Sequence, residues 1–206
     1  MIRVVAFDMD GTLISESSWE LLHAYFHADR EKVRHNRNAY LEKHINYETW
    51  MEWDIQLWNS PPLAEIYRGL SAFTLEPHAG MVVAALKEKD VIPCIISSGI
   101  SILAHMVSAR LGIDQSLVHA NELIMVEGQL RGIMKVEPYS KDVVITDLSR
   151  RLAIPLCEFA AVGDAAPDAS LFKKVGLKLA YNPKDDIIVK ASDFVLGGLE
   201  GILDFL

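Results

Sequence analysis

The chain has 206 residues, half of them hydrophobic, and a formal net charge of −8. That length and apolar fraction suffice for one substantial core with a smaller insertion, and they exclude global disorder. The acidic balance argues against nucleic acid or an acidic membrane surface as the main partner, though not against a small anionic substrate.

Taken in order, Val4 to Phe7 form an uninterrupted apolar run, as expected of a buried parallel strand. Two acids, Asp8 and Asp10, follow with Gly11 and Thr12. The N-terminus enters this strand directly and reads as neither a signal peptide nor a membrane span. Beyond Leu13 the pattern becomes helical. Ser15, Ser17 and Ser18 offer caps for a helix beginning near Trp19, and Trp19, Leu22, Tyr25 and Phe26 recur at helical spacing. Trp50, Trp53, Leu57 and Trp58 repeat the pattern after a charged stretch from Asp29 to His44. Pro61-Pro62 interrupts it, and Leu63 to Leu70 forms a last helix. All four tryptophans lie here; they form the core of a small helical bundle, or one or two of them line a pocket.

Met81 to Lys89 reads as a helix, and Val91 to Ile96 as a second apolar strand ending in Ser97-Ser98-Gly99. Ile102 to Leu111 is a helix stopped by Gly112. Leu117 to Ala120 is a short strand, and two apolar runs around Glu127-Gly128 suggest a β-hairpin. Val143 to Leu152 is a helix with Lys141 near its start. Phe159 to Val162 is a strand ending in Gly163-Asp164. A helix over Ala169 to Val175 and strands at Leu177–Ala180 and Asp193–Leu196 complete the series. Cys94 and Cys157 form no close pair, as in an intracellular protein. The pattern predicts an α/β fold, a Rossmann-like parallel sheet core with an inserted helical cap. The core comprises residues 1–14 and 76–206, with a hairpin flap at about 121–134; the cap comprises residues 15–75.

In a parallel sheet the carboxyl ends of the strands face one way, so Asp8, Asp10, Ser97, Ser98, Asp164 and Asp168 can converge. Two acids so close need positive charge between them. A hard cation such as Mg²⁺ takes oxygen ligands, available from Asp8, Asp164 and the carbonyl of Asp10. A carboxylate is a competent nucleophile in aspartyl-phosphate chemistry. Lys141, the Ser97 hydroxyl and nearby backbone N–H groups can neutralise phosphate oxygens. Asp10 can protonate a leaving alcohol and then deprotonate water.

These motifs resemble those of the haloacid dehalogenase-like phosphatases, and most closely the phosphoserine phosphatase branch, over essentially the whole chain. Asp8, Asp10 and Thr12 match the first motif, Asp-x-Asp-x-Thr. Ile95 to Gly99 match the second, Lys141 the third, and Gly163-Asp164-Ala-Ala-Pro-Asp168 the fourth. The resemblance implies Asp8 as nucleophile and Asp10 as general acid and base. It implies Ser97 and Lys141 as catalytic phosphate ligands, with Gly11, Thr12, Ser98 and Gly99 around the phosphate. The metal ligands would be Asp8, Asp10 and Asp164, with Asp168 orienting them or Lys141. The expected activity is Mg²⁺-dependent hydrolysis of a phosphomonoester through a phosphoaspartate, in a cytoplasmic monomer or homodimer acting on a small phosphorylated metabolite. Two departures bear on the substrate. Ser17 stands where that branch carries a Glu, and Asp54 where it carries a cap Arg that grips the substrate carboxylate. A phosphatase for another metabolite, or a catalytically weak binding homologue, are the alternatives.

Overall fold

The first strand, β1 (Val4–Phe7), lies at the centre of a seven-stranded sheet, and all four of its side chains are buried. The computed structural model describes all 206 residues. The sheet order is β4-β3-β2-β1-β5-β6-β7, with β2 (Ile92–Ile100), β3 (Val118–Val126), β4 (Gln129–Ile133), β5 (Phe159–Gly163), β6 (Leu177–Tyr181) and β7 (Phe194–Leu196). Every pairing is parallel except β3 with β4, so the sheet is mixed.

Successive residues of a strand point to opposite faces, and β1 divides accordingly. Val5 and Phe7 join the larger apolar cluster, with helices α5 (Ala79–Glu88) and α6 (Ser101–Leu111). Val4 and Ala6 join the smaller one, with α7 (Lys141–Leu152), α8 (Ala169–Phe172) and α9 (Asp186–Ala191). Both faces of the sheet are therefore covered, which permits its strands to be apolar throughout.

Between β1 and α5 stand four helices: α1 (Ser18–Tyr25), α2 (Arg30–Leu41), α3 (Tyr47–Gln56) and α4 (Leu63–Leu70). Asp29 caps α2 by accepting from the N–H groups of Glu31 and Lys32, and Asn46 caps α3 by accepting from Thr49. The two chain crossings into this insertion run side by side. Ile14 bridges Leu75, Ser15 N–H donates to the Thr74 carbonyl, and Glu76 N–H to that of Leu13. Leu22, Met51, Ile55, Trp58, Ile66 and Leu70 bury into the same cluster as Phe7, so the insertion shares the larger core.

The expected short strand and the separate hairpin are one element. β3 runs without a break from parallel pairing on β2 into antiparallel pairing on β4, so a single strand carries the flap out of the sheet. The expected helix to Val175 ends at Phe172, and α9 was not expected from the sequence; Asp185 caps it by accepting from Ile187 and Ile188. No helix is long and apolar enough to cross a membrane.

Candidate active site

Register brings the strand ends together. Phe7 pairs with Ile95 of β2 and with Val162 of β5, so Asp8 lies level with the residues that lead into Ser97 and Asp164. The Asp8 N–H donates to the Val162 carbonyl at 2.9 Å. Asp8, Asp164 and Asp168 are all buried and converge within 4.8 Å through one carboxylate oxygen each.

Lys141 enters this cluster from the start of α7 and is itself buried. Its ammonium donates to Asp8 Oδ1 at 2.7 Å and to Asp168 Oδ1 at 2.6 Å. Burial works against the lysine charge, but Asp168 and Asp8 outweigh it and hold its pKa above the usual lysine range. Burial, reinforced by Asp168, pushes Asp8 well above the usual carboxylate range despite Lys141. Asp164 is pushed up to about 6 by burial and by Asp168, with Lys184 opposing.

Asp168 is already committed. Its Oδ1 takes Lys141, and its Oδ2 accepts from the N–H groups of Asp164 and Ala165 at 3.1 and 3.3 Å. Gly163 is required beside it, since a Cβ there would collide with the Asp168 side chain. The two carboxylates that remain for a divalent cation are Asp8 and Asp164. Both are buried carboxylates, the hard oxygen ligands that Mg²⁺ or a similar cation takes, and with Asp168 beside them the cluster fits such an ion.

The carboxylate of Asp10 stands outside this group. Its Oδ2 accepts from the Ser18 hydroxyl at 2.7 Å and from the Ser18 N–H at 2.9 Å, at the first turn of α1. A helix N-terminus favours a negative charge there. Burial nevertheless raises the Asp10 pKa, with the Ser18 bonds opposing. Asp10 Oδ1 is buried without a hydrogen-bond partner, an oxygen left for a reacting group. Gly11 makes the turn that follows Asp10, at φ +84°, and a Cβ there would strike Asp164 Oδ2 and the Lys184 ammonium.

Ser97 is buried, and its Oγ accepts from the Gly99 N–H at 3.0 Å. Gly99 permits the close approach of Ser18 Oγ, which accepts from the Ile100 N–H at 3.2 Å. The Ser98 carbonyl accepts from Asn121 at 2.8 Å and from the Tyr47 hydroxyl of α3 at 2.7 Å. The Thr12 hydroxyl is buried beneath the turn with no partner.

Two residues of the site escape a reading of the sequence. Ser18 reads as one of three candidate helix caps, yet its hydroxyl serves Asp10. Lys184 belongs to no motif of the sequence, yet its ammonium lies 2.5 Å from Asp164 Oδ2. The available signal for Lys184 is its place just beyond the carboxyl end of β6, where groups of a parallel sheet converge.

A cleft of about 690 Å³ connects Lys184 to the insertion, where Trp19, Trp50, Arg37 and Asp54 line it. Trp58 instead packs inside the insertion, 5.6 Å from Trp19 between ring centroids, and is buried. The tryptophans thus divide between core and cleft.

The family model for haloacid dehalogenase-like hydrolases matches residues 2–176, and the chain belongs to that family. Its relatives include a phosphoserine phosphatase of Methanocaldococcus jannaschii, 26% identical over 92% of this chain and 90% of that protein. A phosphoserine phosphatase of Wolinella succinogenes is 25% identical over 93% of each. A substrate-bound phosphoserine phosphatase superposes with a TM-score of 0.84 at 24% identity, over 100% of this chain and 99% of that one. A phospho-aspartyl intermediate analogue of phosphoserine phosphatase gives 0.83 at 24% identity, with the same coverage.

Proposed function

We propose that this hydrolase is a Mg²⁺-dependent phosphomonoesterase that works through a phosphoaspartate on Asp8 and acts on a small phosphorylated metabolite. The observation that carries this reading is the buried Lys141 ammonium bridging Asp8 and Asp168 beside Asp164. Such a lysine neutralises phosphate oxygens where they sit against the nucleophile.

Asp8 and Asp164 would hold the cation, which supplies charge neutralisation for the phosphoryl oxygens. Lys141 holds Asp8 through Oδ1, which leaves the second oxygen for in-line attack on phosphorus. As the Asp8–phosphorus bond forms and the phosphorus–alkoxide bond breaks, Asp10 delivers its proton to the leaving oxygen. The raised Asp10 pKa suits that role. Water then attacks the phosphoaspartate, Asp10 takes its proton, and inorganic phosphate leaves with Asp8 restored. Ser97 and the N–H groups of the strand ends donate to the phosphoryl oxygens. The insertion, rooted at Ile14 and Leu75, covers the site and supplies the surface against the alcohol.

Phosphoserine is the substrate in the names of the relatives and is the first ester to test. Release of phosphate from p-nitrophenyl phosphate, with Mg²⁺ and with EDTA, tests the reaction class. Activity is expected with Mg²⁺, is lost in EDTA, and is abolished in Asp8→Asn with the circular dichroism spectrum retained. Full activity in Asp8→Asn would overturn the proposed nucleophile.

A further inference from the structure

Asp54, on α3, is 3% exposed, yet it meets no lysine or arginine. Its Oδ1 accepts from the Asn36 amide at 2.8 Å, and its Oδ2 lies 3.3 Å from His23 Nε2. The role of the other ring nitrogen follows from its own partner. The Trp58 indole N–H can only donate, and it lies 3.1 Å from His23 Nδ1. Nδ1 is therefore the acceptor, and the Nε2 edge of the ring faces Asp54 Oδ2. Its two neighbours are an amide and an imidazole, so the nearly buried Asp54 carboxylate lacks a lysine or arginine counter-ion. A lone buried carboxylate is costly unless a cation completes it.

The carboxylate borders a narrow recess lined by Trp19, Tyr47, Trp50 and Met51, which continues the cleft leading to Lys184. The other charged groups of that cleft are placed elsewhere. Lys184 is paired with Asp164, and Glu16 accepts from the Thr74 N–H. Glu20 and Arg37 are exposed at the rim. At the aromatic end Asp54 is the charge a ligand meets. Aromatic faces beside a carboxylate attract an ammonium and repel a second carboxylate.

We propose that this end of the cleft selects phosphomonoesters of small amine-bearing alcohols, the substrate ammonium seated against Asp54 beside Trp19 and Trp50. The proposal rests on the phosphomonoesterase reading and names its substrate class.

The test compares kcat/KM of the wild-type protein with Mg²⁺ for O-phosphoethanolamine, which carries only the amine, and phosphoglycolate, which carries only the carboxylate. Phosphoserine carries both, and p-nitrophenyl phosphate carries neither. Phosphoethanolamine is expected to exceed phosphoglycolate by about tenfold, the effect of one favourable charge contact. Phosphoserine is expected to fall between them. In Asp54→Asn the ratio of phosphoethanolamine to phosphoglycolate should collapse toward one. Phosphoglycolate or phosphoserine equal to or better than phosphoethanolamine in the wild type would overturn the amine selectivity, whatever the variant does. No hydrolysis of any ester, p-nitrophenyl phosphate included, would overturn the phosphatase reading and the selectivity with it.

Discussion

The Tyr47 hydroxyl, on helix α3 of the insertion, donates a 2.7 Å hydrogen bond to the carbonyl of Ser98, one residue past Ser97 on strand β2. The same carbonyl accepts from Asn121, whose Oδ1 accepts from the N–H groups of Lys135 and Val136 just beyond the flap. Insertion, strand and flap thus meet at one peptide group. Burial holds the Tyr47 phenol well above its usual pKa, so it remains a donor at neutral pH. Its ring packs edge-on to Trp50 at 5.6 Å, and phenylalanine would keep that contact.

Tyr47→Phe removes only the hydroxyl. The expected cost in stability is about 1 kcal/mol, typical of one hydrogen bond. Because the bond ties the insertion to the strand that carries Ser97, KM for a small ester should rise severalfold while the melting temperature changes little. Steady-state kinetics and a thermal melt on the same preparation check this.

Ser18→Ala removes one of the two bonds that favour ionised Asp10. Loss of a donor to a carboxylate raises its pKa, and burial already pushes in that direction. The inflection in kcat/KM that reports Asp10 should therefore move to higher pH. A pH–rate profile for p-nitrophenyl phosphate reads the shift directly.

Lys141→Met leaves Asp8 and Asp168 buried without their cation. Breaking such a buried group costs about 3–5 kcal/mol, and catalysis should be lost as well. The deficit should depend on pH. Asp8 has a folded-state pKa above its unfolded value, and loss of Lys141 raises it further. The stability contributed by such a carboxylate is present below its unfolded pKa and is lost as pH rises through the folded one. The variant should therefore be most impaired at pH 7.5 and recover part of its stability at pH 5, by denaturant midpoint.

Cation binding should show the same titration from the other side. Asp164 is pushed up to about 6, so its contribution to stability without metal is present below its usual value and lost as pH rises through about 6. Metal requires the ionised carboxylate. Added Mg²⁺ should raise the melting temperature more at pH 7.5 than at pH 5, and EDTA should reverse the gain. Asp164→Asn should remove most of the difference.

Much of the chemistry was legible in local pattern. An apolar run ending in polar side chains, three times over and twice in acids, identifies buried strands whose carboxyl ends carry functional groups. Asp8, Ser97 and Asp164 could be nominated from that alone, because parallel strands share a direction. Lys141 was nominated by resemblance and spacing, since a lysine at a helix start is ordinarily solvated; here it is buried between two acids.

Residue type and period by themselves determined the α/β alternation, the place of the helical insertion and the candidate acids, because burial and strand direction leave a signature along the chain. Tertiary structure decided what each polar group faces. Ser18 could be a cap or a partner of Asp10, and only the approach of β1 to α1 chose. Lys184 became part of the site because β6 ends beside Asp164. Asp54 acquired its meaning from Trp58, 4 residues on in the turn that follows α3, and from His23, on a different helix, whose ring faces the carboxylate where no lysine or arginine does. Hydrogen-bond partners and electrostatic fields depend on distances of a few ångströms between residues far apart in the chain, and no local pattern encodes those distances.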